Sequence, residues 1–253
     1  MHTSPVFSVI TVTYNAVHCL EETILSVLGQ SYPGIEYLIV DGASTDGTVE
    51  LIQSYASSLA WWTSRPDGSL YEAMNTGLQQ ATGDYVWFVN AGDRIHGVDT
   101  AREMADRICA CPSPPDILYG ETALIDSRGR FLGMRSLRSP KSLSWKSFRT
   151  GMRVSHQSFL VRRTLAPAFD LRYRFSSDVD WCIRCMKRSG AIVNTRLVLS
   201  DFLEGGLSTK RRAASLRERY HILCRYYGWP LATLLHGWFA LRFLAARRLK
   251  TRV

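Results

Sequence analysis

The stretch DYVWFVNAGD, Asp84–Asp93, is an apolar run that passes into small residues and ends on a carboxylate. Five apolar residues in succession are typical of a strand that is buried on both faces of a sheet. Asp and Gly after a strand are also common in ordinary turns. One aspartate after a strand therefore says little about function. Several of them, each after a strand of the same sheet, would indicate a ligand site.

Strand and helix patterns alternate in the residues before this stretch. Apolar and β-branched runs predict strands at Phe7–Asn15, Ile35–Ser44 and Leu59–Thr63. Helical spacing predicts helices at Cys19–Gly29, Thr45–Tyr55 and Leu70–Ala81. This alternation predicts an α/β fold with a mostly parallel, doubly wound sheet and helices on both faces. Ligands of such sheets bind at the carboxyl ends of the strands.

The pattern changes after Asp93, and residues 94–206 predict an α+β half. The expected elements are a helix at Val98–Cys111, a hairpin of Ile117–Asp126 with Phe131–Ser136, a strand at His156–Val161, a helix at Asp178–Lys187 and a strand at Ala191–Val198. No linker divides residues 1–93 from 94–206, so we expect one domain over 1–206. Residues 207–253 predict two further helices, at Ala213–Tyr227 and Leu231–Arg248.

The excess positive charge lies at the C-terminal end. Residues 207–253 contain 11 of the 31 Lys and Arg residues but only one of the 22 acidic residues, Glu218. The apolar run from Trp229 is interrupted by Arg242 and falls short of the roughly 20 residues that span a bilayer. We therefore expect a basic amphipathic helix on a membrane surface, with docking on the protein's own core as the alternative. No recognition motif accompanies the charge, so nucleic acid is not an expected partner.

The sequence also predicts the compartment. The N-terminal residues lack the basic segment and the long apolar run of a signal peptide. Cys182 and Cys185 fall in a predicted helix without a second such pair or a nearby His, which favours packing over a metal site. These features predict a protein of the reducing cytoplasm.

Three successive strand ends carry an aspartate: Asp41 ends the second strand, Asp67 follows the third and Asp93 follows the fourth. Their carboxylates would meet at one edge of a parallel sheet, although turn formation alone would also place Asp there. Carboxylates there could hold Mg²⁺ or Mn²⁺, and the cation would neutralise a diphosphate. Neither GxGxxG nor GxxxxGK[ST] is present. Their absence argues against a dinucleotide oxidoreductase and a P-loop kinase.

The order FSVITVTYNA, LIVDGASTDGT, RPDGSLYEAMNTGLQQATGDYVWFVNAGD and SDVDWCIRC resembles family 2 glycosyltransferases, which are inverting enzymes of GT-A fold. Small bacterial transferases of exopolysaccharide (colanic acid) and phenolic glycolipid assembly are the nearest groups. The resemblance covers roughly residues 6–206, and the first 93 residues carry most of it. It implies a nucleotide-sugar donor, a glycan or lipid-linked acceptor and a divalent cation.

The resemblance also implies roles for individual residues. The donor-binding set comprises Thr13, Tyr14 and Asn15 beside the nucleotide, Asp41 with Gly42 at the nucleobase, Asp67 near ribose or base, and Asn75 near the sugar phosphate. Asp93 corresponds to the last acid of the family's metal-binding DxD motif. The other acids of that motif are replaced here, so that Ala91 and Gly92 would line the donor site beside a single carboxylate.

An inverting transfer needs a base that takes the proton of the acceptor hydroxyl. Family members often carry ED-x-D-L where this chain has Ser177-Asp178-Val179-Asp180-Trp181, and Asp178 takes the position of the base. Asp180 is either a second acid near the acceptor or a helix-start acid paired with Arg184. His156 opens a predicted strand and is either structural or close to the acceptor or a phosphate. Glu204–Ser208 is either a flap over the donor or a plain loop.

Together these features predict an inverting glycosyltransferase that acts on the inner face of a bacterial cell membrane. It would build a cell-surface polysaccharide or glycolipid. Two alternatives remain open at this stage. One is a non-catalytic scaffold of a polysaccharide assembly complex, since the DxD motif is reduced. The other is a sugar-nucleotide nucleotidyltransferase, although the N-terminal Gly-rich phosphate loop of that class is absent.

Overall fold

A computed structural model describes residues 4–205 and 211–237 of the chain. Within these ranges nine strands form one mixed sheet: β1 Phe7–Thr13, β2 Ile35–Asp41, β3 Trp61–Ser64, β4 Tyr85–Phe88, β5 Arg94–Ile95, β6 Ile117–Ile125, β7 Phe131–Met134, β8 Phe159–Arg162 and β9 Ile192–Leu203. The helices of the same ranges include α1 Val17–Leu28, α2 Thr48–Ser54, α3 Leu70–Gln80, α4 Thr100–Cys109, α5 Ser177–Arg188 and α6 Arg212–Tyr227. Residues 229–237 are also helical.

The strand order is β3-β2-β1-β4-β8-β6-β9-β5, with β7 added beside β6. The first four strands are parallel neighbours. β8 then pairs antiparallel with both β4 and β6. The predicted parallel half and the mixed half therefore share one continuous sheet, and the α/β class is confirmed.

Alternate residues of the parallel strands face two separate cores, as the two-residue period of a strand requires. In β1, Ile10 and Val12 face the layer that contains α3 and α5. Phe7 and Val9 face the layer of α1, α2 and α4. The strands are thus buried on both faces, which explains why their sequences are apolar throughout rather than alternating.

The strand predicted at His156–Val161 is wrong at its start. His156–Ser158 forms a 3₁₀ turn, and β8 begins at Phe159. All three turn residues are buried, at 8%, 1% and 0% exposure. Successive residues of a strand point to opposite faces, so a strand could not have directed three neighbouring polar side chains toward the same interior. The strand predicted at Ala191–Val198 continues instead to Leu203, and its end pairs with β5.

The first part of the C-terminal segment packs against the body of the protein. Ile222 and Leu223 of α6 are buried, and so is Ala232 in the following helix. The docking alternative therefore applies to this part, whereas the rest of the predicted helix at Leu231–Arg248 lies outside the described residues. No helix within residues 4–205 and 211–237 is long and apolar enough to cross a bilayer.

Candidate functional site

A cavity of about 790 Å³ lies at the carboxyl ends of the parallel strands. Its floor comes from the residues after β1, β2 and β4, and its far wall comes from the segments 156–157, 174–178 and 202–203. The volume falls within the range of small-molecule sites. Of the residues predicted for the site, those on its surface are Thr13, Tyr14, Gly42, Asp67, Ala91, Asp93, His156 and Asp178.

The β1 end contributes a polar atom and an aromatic ring. Thr13 Oγ1 is buried and lacks a hydrogen-bond partner among the described residues. Tyr14 is 66% exposed at the cavity surface. Asn15 lies instead in the adjoining loop, at a φ of 46°. Its side-chain oxygen accepts a hydrogen bond from the N–H of Thr45, so this residue holds the β1 and β2 loops together.

Asp41 lies beneath the cavity floor and is fully buried. Its carboxylate accepts hydrogen bonds from the backbone N–H of Ser44 (2.9 Å) and from the hydroxyls of Ser44 and Ser64. In this structure the carboxylate predicted to read the nucleobase therefore shapes the loop after β2. A direct contact with a base would require the carboxylate to exchange these hydroxyl partners.

Asp67 is packed against the backbone of Gly42 at the cavity surface. A Cβ atom on Gly42 would lie 2.9 Å from Asp67 Oδ2, so only glycine permits this approach. Partial burial raises the pKa of Asp67, and the nearby charges of Glu72 and Asp41 raise it further. A hydrogen-bond donor of a ligand would favour the ionised form of this carboxylate.

Asp93 is the buried carboxylate at the β4 end, with 4% exposure. Its Oδ2 accepts a hydrogen bond from Gln157 Nε2 at 2.7 Å, and its Oδ1 accepts one from the backbone N–H of Leu203 at 3.0 Å. Burial raises the pKa of Asp93 to about 6, although these two hydrogen bonds and the charge of His156 oppose the shift. Elements distant in sequence therefore fix the carboxylate that β4 supplies.

Two residues of the turn before Asp93, Ala91 and Gly92, have different roles. Ala91 lines the cavity, while Gly92 does not. Gly92 has a φ of +93°, and a Cβ at this position would lie 2.7 Å from Leu203 Cδ2. The glycine thus serves the turn and its packing rather than the cavity surface.

The side chains around Asp93 fit a divalent cation that takes most of its ligands from substrate phosphate and water. Within residues 4–205 and 211–237, no cluster of three or more His, Cys, Asp or Glu side chains could hold a metal by itself. Asp93 offers one carboxylate, and Asn90 Oδ1 is a buried oxygen without a hydrogen-bond partner in the described structure. Mg²⁺ and Mn²⁺ prefer oxygen ligands, and Mg²⁺ in particular usually completes its coordination with water and substrate phosphate.

Asp178 faces the cavity from the first turn of α5. Tyr71 donates a hydrogen bond to its Oδ1 at 3.2 Å, and His156 Nδ1 lies 3.4 Å from its Oδ2. Burial raises the pKa of Asp178, but the hydrogen bond and charge of His156 and the charge of Arg219 outweigh that effect. The pKa is therefore below its ordinary value. The carboxylate is thus ionised at neutral pH and able to accept a proton.

A chain of contacts runs from the turn that leads to Asp93 across the cavity to Asp178. Asn90 Nδ2 lies 3.2 Å from His156 Nε2, and the other ring nitrogen of His156 faces Asp178. Donation by the Asn90 amide leaves the ring proton on Nδ1, directed at the Asp178 carboxylate. His156 therefore orients the acid of α5 from the turn that precedes β8.

Besides Asn15, Asp41 and Gly92, two further predicted site residues do not line the cavity. Asn75 exchanges two hydrogen bonds with the backbone of Phe169, at 3.1 and 2.6 Å. Asp180 is fully buried, pairs with Arg184 at 2.6 Å and accepts a hydrogen bond from Tyr226 at 2.7 Å. Both act in this structure as internal ties, which corresponds to the helix-start alternative for Asp180.

Sequence reasoning missed Gln157 and Tyr71 as site residues. Gln157 stands next to the singled-out His156, but a predicted strand would have placed the two side chains on opposite faces. Tyr71 lies in the quoted SLYEAMNTG run, where helical spacing alone indicates a core residue. Its hydroxyl reaches Asp178 only because α3 and α5 pack on the same face of the sheet.

Comparison with known proteins finds a matching family and similar relatives. The sequence profile of Glycosyl transferase family 2 matches residues 8–165. An uncharacterized glycosyltransferase of Mycobacterium tuberculosis is 30% identical over 221 residues, which make up 85% of this chain and 82% of that protein. A PGL/p-HBAD biosynthesis glycosyltransferase of Mycobacterium bovis is 30% identical over 214 residues, covering 81% of this chain and 80% of the relative.

Solved structures share the fold at low sequence identity. TarS 1–349 of S. aureus, in complex with UDP, superposes with a TM-score of 0.68 at 19% identity, covering 95% of this chain and 72% of that one. The present chain spans only 43% of a longer TarS chain. The mannosyltransferase PcManGT of Pyrobaculum calidifontis, in complex with GDP-Man and Mn²⁺, gives 0.59 at 18% identity, covering 99% and 81%. The expected GT-A fold is thereby confirmed.

The buried charge of Asp93 predicts a pH-dependent stability difference. The pKa of Asp93 is about 6 in the fold against an ordinary value of 3.8, so ionisation disfavours the folded state. The stability of Asp93→Asn relative to the native protein should therefore increase as the pH rises through this window and level off above about pH 6. The increase should amount to at most about 3 kcal/mol. Urea unfolding of both proteins at pH 4.5 and pH 7 measures it.

Asp126→Asn is the control for this measurement. Hydrogen bonds from Arg130 lower the pKa of Asp126 below its ordinary value of 3.8, so this carboxylate is ionised at both pH values and the relative stability of that variant should stay nearly constant between them. An Asp93→Asn difference that stays constant between the two pH values would contradict the buried-charge interpretation.

Proposed function

Because the chain belongs to Glycosyl transferase family 2 and is a glycosyltransferase, we propose that it moves one sugar from a nucleotide-sugar to a hydroxyl of a lipid-linked glycan, with inversion. The observation that carries the proposal is the placement of Asp93 and Asp178 on one cavity. One carboxylate serves the donor side and the other serves the acceptor side. Family membership sets aside the scaffold and nucleotidyltransferase alternatives.

Asp178 is the proposed base. It takes the proton of the acceptor hydroxyl while that oxygen attacks the anomeric carbon, and the bond from this carbon to the nucleoside diphosphate breaks. His156 and Tyr71 position the carboxylate by their contacts with its two oxygens. The lowered pKa of Asp178 keeps the basic form populated at neutral pH.

The donor side is the proposed place of a divalent cation. Asp93 and Asn90 would hold Mg²⁺ or Mn²⁺, which stabilises the negative charge of the departing diphosphate. A solved neighbour of the same fold contains Mn²⁺ with GDP-Man, which supports this assignment. Thr13, Tyr14, Gly42, Asp67 and Ala91 remain the proposed donor contacts, since each lines the cavity. The other residues predicted for donor binding do not line the cavity and would hold these contacts in position: Asn15, Asp41, Asn75 and Gly92.

The acceptor and the location are proposed from the relatives and the charge. A relative is named for PGL/p-HBAD biosynthesis, which supports a product of the cell-surface glycan or glycolipid class. A lipid-linked acceptor would be reached by peripheral binding to the inner face of the cell membrane. The basic C-terminal residues would supply that contact through anionic lipids.

Donor use tests the function directly. We expect the purified protein with Mn²⁺ to bind one class among UDP-, GDP- and dTDP-sugars and to hydrolyse it slowly when no acceptor is present. Native mass spectrometry measures binding, and chromatography of the released nucleotide measures hydrolysis. If none of these donors bound or reacted, with or without the cation, the proposed function would be wrong.

Substitution of the base tests the mechanism. Asp178→Asn should lower the rate of sugar transfer by about 10²-fold or more, because no group remains to take the hydroxyl proton. Donor affinity should change by less than about threefold, since the donor contacts are untouched. Glu103→Gln is the matched control, because Glu103 is an exposed acid in the first turn of α4. Normal transfer by Asp178→Asn would refute the assignment of the base.

Charge neutralisation tests the membrane proposal. The full chain with Arg247, Arg248, Lys250 and Arg252 all changed to Gln should lose at least about tenfold in affinity for vesicles with phosphatidylglycerol. Each basic residue near an anionic surface contributes about 1 kcal/mol. The control changes four basic residues on the body, Arg107, Arg128, Lys141 and Arg188, all exposed. Equal losses in the two variants, measured by cosedimentation, would speak against a dedicated tail.

A further inference from the structure

Three arginines from separate parts of the chain form a group in which Arg135 lies near the other two, and Arg135 and Arg219 lie near Asp178. Arg135 follows β7, Arg153 precedes the 3₁₀ turn of His156, and Arg219 belongs to α6. Each is partly buried. Burial and the positive charges of Arg219 and Arg153 lower the pKa of Arg135 to about 10, although the negative charges of Asp178 and Glu121 oppose the shift. Arg135 is therefore close enough to the other two arginines for their charges to repel.

These arginines lack acidic partners. None of the three forms an ion pair with another described residue. Arg219 Nε is buried without a hydrogen-bond partner in the described structure, and Arg135 donates only to the carbonyl of Leu137, at 3.3 Å. Every Asp and Glu of the chain lies within the described residues, because residues 1–3, 206–210 and 238–253 contain none.

The nearest carboxylates are engaged elsewhere. Glu121 binds Arg138 at 3.1 Å and the hydroxyl of Ser139 at 2.8 Å. Asp178 is held by Tyr71 and His156. The carboxylates of Asp178 and Glu121 offset part of the positive charge at Arg135, but each is shared with another partner, His156 or Arg138. The group thus keeps an excess of partly buried positive charge, an arrangement that costs free energy unless a ligand supplies negative charge.

The position of Arg219 is fixed by its neighbour in α6. Glu218 accepts hydrogen bonds from the backbone N–H groups of Arg174 and Phe175, both at 2.8 Å. One turn earlier, Ser215 Oγ lies 2.9 Å from Ser176 Oγ. These contacts tie α6 to the segment that forms the cavity wall and leads into Asp178. The helix therefore presents Arg219 at a defined place beside the acceptor side of the site.

We propose that Arg135, Arg153 and Arg219 bind an anionic group of the acceptor, of the phosphate ester class, and so present its hydroxyl to Asp178. Guanidinium groups suit phosphate because their planar N–H forks bind its oxygens in pairs. None of the three arginines lines the donor cavity, whereas the exposed Arg174 does, and its backbone N–H is bound by Glu218, the neighbour of Arg219. The inference rests on the proposed function, since it assigns the acceptor of that reaction.

Binding of a model phosphate ester tests the inference. The full chain, saturated with the nucleoside diphosphate of its donor and Mn²⁺, is titrated by calorimetry with octyl phosphate, glucose 6-phosphate and the neutral octyl glucoside. We expect a phosphate ester to bind and octyl glucoside to bind at least tenfold more weakly. Tighter binding of octyl phosphate indicates a lipid phosphate, and tighter binding of glucose 6-phosphate indicates a phosphorylated glycan.

Substitutions locate the site. Arg219→Gln and Arg135→Gln should each weaken phosphate-ester binding at least tenfold, and Arg219→Lys should retain part of it. Arg217→Gln is the matched control, an exposed arginine on the same helix, and should bind as the native chain does. Thermal unfolding checks each variant. If Arg219→Gln proves to be unfolded, phosphate-ester binding by Arg135→Gln and Arg219→Lys decides whether the arginines form the site.

Three results would overturn the inference: equal binding of charged and neutral ligands, unchanged binding in Arg219→Gln and Arg135→Gln, or phosphate-ester binding that is seen only when the nucleoside diphosphate is left out. Hydrolysis of the donor to water is measured on the same samples. Absent hydrolysis in the native chain counts against the proposed function, whereas intact hydrolysis with arginine-independent binding counts against the acceptor site alone.

Discussion

The hydrogen bond from Gln157 to the buried carboxylate of Asp93 joins the two halves of this enzyme. Asp93 comes from the parallel strands, and Gln157 comes from the turn that leads into the antiparallel ones. A buried carboxylate is costly unless its oxygens are bonded, so the fold has to bring both Gln157 and the N–H of Leu203 to it. The same 3₁₀ turn places His156 against Asp178. One buried charge thus connects the proposed donor side of the cavity with its proposed acceptor side.

The acceptor side depends on a second set of buried polar contacts. Glu218 and Ser215 of α6 hold the backbone ahead of Asp178, and Asp180 ties α5 to Arg184 and Tyr226. A helix that looks like an appendage in the sequence therefore belongs to the wall of the site. Docking this helix fixes the segment that leads into Asp178, the proposed base, and it also brings the positive charge of Arg219 close to that carboxylate. The exposed Trp229 and Leu234 lie in the helix that follows.

Local pattern was sufficient for the parallel half of the fold. The apolar runs of β1, β2 and β4 are long and continuous because both faces of these strands are covered, and the helices between them follow from their spacing. The local sequence pattern predicted a strand at His156–Ser158, but these three successive polar residues form a buried turn. Their conformation is set by hydrogen bonds to β4, β6 and β9, which no local rule contains.

The sequence by itself determined the α/β class, the strand ends that carry Asp41, Asp67 and Asp93, and the acid that opens α5. These features are local, since strand period, turn chemistry and helix starts depend on neighbouring residues. Only the tertiary structure decided which of these acids reach the cavity. Asp41 turned out to lie under the floor and Asp180 inside the helix packing, while Gln157 came to Asp93, and Tyr71 and Arg219 came to Asp178. The reason is physical: a buried polar group must find partners wherever the packed chain provides them, and those partners are distant in sequence.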